Sequence, residues 1–221
     1  MSRVDCVKAN ASAEHIRHEP MKRTLLRGLR AAALPFVGTM LAILSPHDAG
    51  ASTSIALSVR ELAASSESIV RVTQLERSSA WVDGRIVTTT RARVDRVVAG
   101  VATGPEITIR TLGGVVGEIG QRVEGEAELG AGEQALLFVA PLRGQAAMSV
   151  VGRAQGRWSI VRDAHAREVV RVRDQGRLVE RRGDVGVGVR APSRLAAALD
   201  GSAVDEATAE AVREWGASHA R

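Results

Sequence analysis

Three sets of residues downstream of position 51 have types and spacings that could do chemistry. Glu118, Glu124, Glu126 and Glu128 lie close together, and paired carboxylates are the machinery of glycoside hydrolysis. That work also needs a sugar-lined cleft with aromatic platforms. Beyond residue 51 the chain has three tryptophans, one phenylalanine and no tyrosine, so the four glutamates read as a solvated acidic loop. The glycines at 113, 114, 117 and 120 follow an apolar stretch as a phosphate-cradling loop would, but they lack the GxGxxG order and a terminal Gly-Lys-Ser/Thr. Residues 121–129 do not read as a helix, which removes the dipole that would hold a phosphate. His165 and His219 are the only histidines in this part of the chain. With no HExxH or GxSxG around them they read as solvated, and neither a catalytic residue nor a metal ligand is assigned. No cofactor is expected.

The glycine-rich segment 113–132 is therefore read as a recognition surface, since long loops on a rigid scaffold commonly carry binding. The candidate binding residues are Gly113, Gly114, Gln121 and Arg122, joined by Trp81 and Trp158 as side chains that could face a ligand. Trp215 is expected to dock the last helix. Arg182-Gly183-Asp184 spells an adhesion tripeptide, which is commonplace in a chain rich in arginine and glycine.

The N-terminal region sets the expected compartment. Met21-Lys22-Arg23 opens a basic stretch that leads into an apolar run from Ala31 to Leu44, then a polar break and Ala49-Gly50-Ala51. The run is shorter than the roughly 20 residues a membrane span needs. It reads as a cleaved signal peptide over 21–51, with Ala49, Ala51 and Ser52 at the cleavage site. Residues 1–20 read as an unstructured extension or a mis-assigned start. Export to the periplasm or the medium is expected, with no membrane attachment after cleavage.

Cys6, the only cysteine, lies upstream of this site, so the mature chain would rely on burial for its stability. Of 30 Lys/Arg and 25 Asp/Glu, seven and four fall within residues 1–51, leaving 23 and 21 and a formal charge near +2. Such a balance implies no polyanion-binding patch. Arginines diluted by acids, with few aromatics, also argue against nucleic acid.

The remaining pattern predicts a mainly β chain with a short helix at each end. Ser58-Val59-Arg60-Glu61 fits a capping box for a helix ending near Ser65-Ser66. Alternation predicts strands over 68–76 and 85–98, joined at a tight Asp83-Gly84 turn. Ile86, Thr88, Thr90, Ala92, Val94 and Val98 are expected on one face of the second. Further strands are predicted around Ile107–Thr111, Met148–Val151, Trp158–Val161, Glu168–Val172 and Leu178-Val179. Ala135–Val139, apolar on both faces, is expected to be central. A helical tail follows Pro192-Ser193, and Ser202–Asp205 reads as a second cap. The domain assignment is a barrel over 52–190 and a helical tail over 191–221. The fold class is a small antiparallel, OB-like β-barrel with a short N-terminal helix and that tail.

A resemblance supports this fold. It is carried by Trp81, Asp83-Gly84-Arg85-Ile86-Val87-Thr88, Gly113-Gly114, Gly117, Gly120-Gln121-Arg122-Val123, Gly132-Glu133, Leu136-Leu137-Phe138, Val151-Gly152 and Gln155-Gly156. The segment from Trp81 to Val161 resembles a group of uncharacterised exported bacterial proteins with an OB-like or netrin-module-like barrel. The matching residues are turns and strands, so the resemblance implies a fold and no activity. Netrin-like barrels include metalloprotease inhibitors in which an N-terminal cysteine chelates the enzyme's metal. The expected mature chain has no cysteine, so that mechanism does not carry over. The leading expectation is an exported, non-enzymatic module binding a protein or extracellular polymer. The alternatives are a protease-regulating module acting through a loop, and an unrecognised hydrolase.

Overall fold

The computed structural model describes residues 53–101, 104–172, 177–182, 185–190 and 194–220. The leader, with Ala49, Ala51 and Ser52, lies outside them, as do Gly183-Asp184 and Pro192-Ser193.

Two long strands dominate. β2 (Ser68–Val82) and β3 (Arg85–Gly100) pair antiparallel along their whole length. Asp83 and Gly84 join them with φ of 48° and 74°, the left-handed pair that lets a two-residue turn follow the strand twist. β2 runs six residues beyond the span read from its alternation, because Arg77–Ser79 is polar and leaves no alternating trace.

Three single-residue bulges bend this ribbon. The register skips Leu75 on β2 and Asp95 and Val98 on β3. Each extra residue reverses the facing of the strand residues after it. Val94 and Val97 therefore both pack into the barrel, whereas Val98 packs against the opposite cluster, beside the helices. The expectation that Val94 and Val98 share a face is thus corrected by the bulges between them. Leu75, itself a bulge residue, is left exposed.

The ring closes through β4 (Glu106–Leu112), β7 (Gln134–Pro141) and β8 (Met148–Val150). β3–β4, β2–β7 and β7–β8 are antiparallel, and one parallel pairing, Ile109 with Met148, joins β4 to β8. The order β2-β3-β4-β8-β7 and back to β2 makes a five-stranded OB-like barrel. Inside it lie Val70, Val72, Ala92, Ile109, Leu137 and Val139.

β9 (Arg157–Arg162) and β10 (Glu168–Val172) extend the sheet outward from β7. Helix α1 (Val59–Ser65), α2 (Arg194–Leu199) and α3 (Val204–His219) supply the side chains that cover this extension. Ala135, Leu137 and Val139 of β7 face the barrel while Leu136 and Phe138 face the helices, so β7 is buried on both sides as its sequence implied. The capping box forms: Ser58 Oγ accepts from Glu61 N, and the Glu61 carboxylate accepts from Ser58 N at 2.8 Å. The second expected cap does not form. Ala203 occupies the N-cap of α3 and offers no side-chain acceptor, while Ser202 sits one residue too early.

β1 (Thr53–Ile55), β11 (Arg177–Arg182) and β12 (Val185–Arg190) form a three-stranded sheet of their own, so the ring occupies only the middle of the span assigned to the barrel. Gln155 fastens the chain after β1, accepting from Leu57 N at 2.8 Å and donating to Ile55 O at 2.9 Å.

Candidate functional site

Beyond the bulge at Leu75 the ribbon projects past β7, which pairs with β2 only as far as Thr73. On its inner face the lining changes character. The apolar column of the barrel gives way to Gln74, Thr88, Thr90 and Thr111, all buried. Thr88 and Thr90 are two apart on a strand and so share a face, and register places Thr111 directly beside Thr88.

A short hairpin, β5 (Gly114–Val116) and β6 (Ile119–Gln121), covers this column. Its base is bolted to the ribbon. Gly113 N donates to Ile86 O at 2.8 Å, Thr88 Oγ1 donates to Gly113 O at 2.5 Å, and Ile86 N donates to Gln121 Oε1 at 2.7 Å. Gly114, at φ 134°, comes so close that a Cβ would lie 2.3 Å from Ser79 Oγ. Only glycine combines that backbone angle with that approach.

Hairpin and ribbon enclose a cleft of about 540 Å3 at the barrel mouth. Gly113, Gly114, Gln121 and Arg122 all line it, and the fold adds Arg77, Glu128 and the threonines. Gly113, Gly114 and Gln121 hold the hairpin in place. Arg122 is exposed and available to a ligand. Among the described residues Arg77, Arg122 and Glu128 enter no ion pair, so two guanidinium groups and one carboxylate face the cleft with their charge uncompensated by a close partner. The lining offers hydrogen bonds and charge beside the apolar side chains of Leu112, Val115 and Leu129.

The two tryptophans part company. Trp158 is fully buried, its ring centroid 4.8 Å from that of Phe138 and its Nε1 donating to Gln155 O at 3.0 Å. It is a core residue and presents no face to a ligand, because its position on β9 points it under the helices. Trp81 is half exposed near the ribbon tip and does not line the cleft. Trp215 packs at the edge of the helix-side core and stacks on His219, with centroids 4.2 Å apart. His165 sits exposed in the β9–β10 turn, its backbone N–H donating to Asp163 Oδ1 at 2.8 Å. The backbone N–H of Arg167, first among several donors, holds the Asp163 carboxyl below its usual range.

The acidic set is not a uniformly solvated loop. Glu118, Glu124 and Glu128 are exposed, but Glu126 is only 8 % accessible. Burial pushes its carboxyl above the ordinary range, against the opposing pull of Arg153 and of the Ala127 and Leu112 amides. Glu133, outside that set, also has a structural task. Its Oε1 accepts from Arg157 Nη1 at 2.5 Å and Ser159 Oγ at 2.6 Å, while Oε2 accepts from Gly130 N at 2.6 Å, tying the 130–133 turn to β9.

Sequence reasoning overlooked Arg77 and the threonine column. The run Thr88-Thr89-Thr90 was the available signal, since threonine at alternate positions of a strand marks a polar face that can still be buried. Among the described residues no group of three or more His, Cys, Asp or Glu could hold a metal ion, and no helix is long and apolar enough to cross a membrane. A scan against protein-family models matches none of them, and a search of curated proteins likewise finds no match.

Proposed function

We propose that this chain is an exported, non-enzymatic binding module whose barrel mouth recognises a protein or extracellular polymer. One observation carries this reading: Arg77, Arg122 and Glu128 stand around a 540 Å3 cleft without ion-pair partners among the described residues, and the hairpin that covers this cleft is braced by three hydrogen bonds at its base. Ordering costs oppose binding by a mobile loop. A loop fixed in advance avoids most of them, and polar groups left over after folding supply the directional contacts.

The test is affinity capture from the native envelope and culture medium with the full-length protein, read by mass spectrometry with a glycan screen alongside. A single saturable partner lost on Arg122→Ala and on Arg77→Ala supports the reading. A partner retained at undiminished affinity by the double variant overturns the assignment to the mouth.

A further inference from the structure

The opposite face of the ribbon borders a second cleft, of about 490 Å3, within the range of about 300–1,000 Å3 typical of ligand sites. Strand alternation separates the two clefts. Thr88 and Thr90 face the mouth, whereas Arg85 and Val87 face this one. Only Thr111 and Leu112, at the end of β4, border both.

Three arginines from three elements meet here: Arg85 at the start of β3, Arg110 on β4 and Arg153 after β8. Among the described residues Arg85 and Arg110 have no ion-pair partner. Arg110 uses one N–H on Gln145 Oε1 and leaves the rest of its fork free. Arg153 Nε lies 4.0 Å from Glu126 Oε2, too far for a hydrogen bond.

Backbone geometry adds an independent sign. Arg153 has φ 57°, a left-handed conformation that non-glycine residues seldom adopt, directly after Gly152 at 67°. The chain accepts that strain and keeps Arg153 on the cleft wall. Asp83 and Glu126 offset two of the three positive charges, leaving one in excess.

The rest of the wall is mixed. Val82, Val87 and Leu142 are apolar, while the Gln145 amide nitrogen and the Ser149 hydroxyl can bond a peptide group. Guanidinium forks match planar carboxylates. The geometry points to this cleft as a second binding site, for the free carboxylate end of an apolar peptide. Arg85, Arg110 and Arg153 surround the carboxylate, and the apolar wall takes the terminal side chains.

Isothermal titration of the full-length protein with N-acetyl-Leu-Leu, its C-terminal amide and inorganic phosphate tests this. The acid should saturate one site, and the amide should bind at least about tenfold more weakly, the loss of one charge-assisted contact. Arg85→Gln and Arg110→Gln should each weaken the acid about tenfold and leave the amide unchanged. Glu126→Gln, which removes the opposing carboxylate, should tighten the acid severalfold, a gain that misfolding cannot produce. Equal affinity for acid and amide, no saturable binding of the acid, or phosphate binding as tightly as the acid would each overturn the assignment.

Discussion

Replacing Gly114 by alanine tests the claim that the β5–β6 hairpin is clamped to the ribbon. The new Cβ would meet Ser79 Oγ at 2.3 Å, Thr88 Oγ1 at 2.4 Å and Ser79 Cβ at 2.9 Å. Both oxygens are committed, to each other at 2.8 Å and, for Thr88, to Gly113 O at 2.5 Å. Relieving the clash breaks one or both bonds, at about 1 kcal/mol net each. A non-glycine residue at φ 134° adds about 1–3 kcal/mol of backbone strain. The total is about 2–5 kcal/mol, or a fall in Tm of roughly 4–20 °C for a protein of this size. Gly84→Ala is the control. It also has a positive φ, of 74°, but nothing lies within 4 Å of its Cβ, so the expected cost is about 1–2 kcal/mol of conformation alone. Urea unfolding followed by tryptophan fluorescence measures both. In the double variant Gly114→Ala/Ser79→Gly two of the three clashes vanish, and a favourable coupling of about 1 kcal/mol should appear. A Gly114→Ala cost no larger than that of Gly84→Ala, with no coupling to Ser79, would refute the clamp.

Burial sets two further outcomes. Trp158→Ala empties a core site against Phe138 and should cost about 3–5 kcal/mol, whereas Trp81→Ala should stay within about 1 kcal/mol of wild type; urea midpoints decide between them. Burial raises the Glu126 carboxyl, so between its unfolded and folded pKa values the native state holds a proton that the unfolded chain has released, and stability falls as pH rises through that window. Glu126→Gln removes this dependence. The stability of the variant relative to wild type, measured from about pH 4 to pH 7, should therefore increase with pH and level off above the folded value. A flat difference would contradict the burial argument.

Local interactions made much of this chain readable. A capping box needs only Ser58 and Glu61, and a tight turn needs only Asp83 and Gly84. Alternation or a continuous apolar run located most of the ring strands, and the doubly apolar Ala135–Val139 segment marked its own central place. The glycine-rich segment also led to the mouth cleft, although three of its four named residues turned out to secure the hairpin. Failures occurred where a side chain's surroundings come from distant segments. Trp81 and Trp158 are the same residue on similar-looking strands, and only the helices packed over β9 bury one of them.

The sequence by itself determined the ring strands, the Asp83-Gly84 turn and the first cap, because each depends on contacts within a few residues, whereas β1, β12 and the β5–β6 hairpin left no such trace. Tertiary structure alone decided the rest. The bulges at Leu75, Asp95 and Val98 have no compositional signature, yet each reverses a face, and together they let one ribbon serve the barrel and the helix-side core. Ring closure depends on Ile109 reaching Met148, a pairing that no local pattern encodes. Docking of the glycine hairpin on the ribbon places Arg77 beside it on one face, and closure through β8 brings Arg153 to Arg85 and Arg110 on the other. Charges far apart in sequence become neighbours only once the sheet has curled shut.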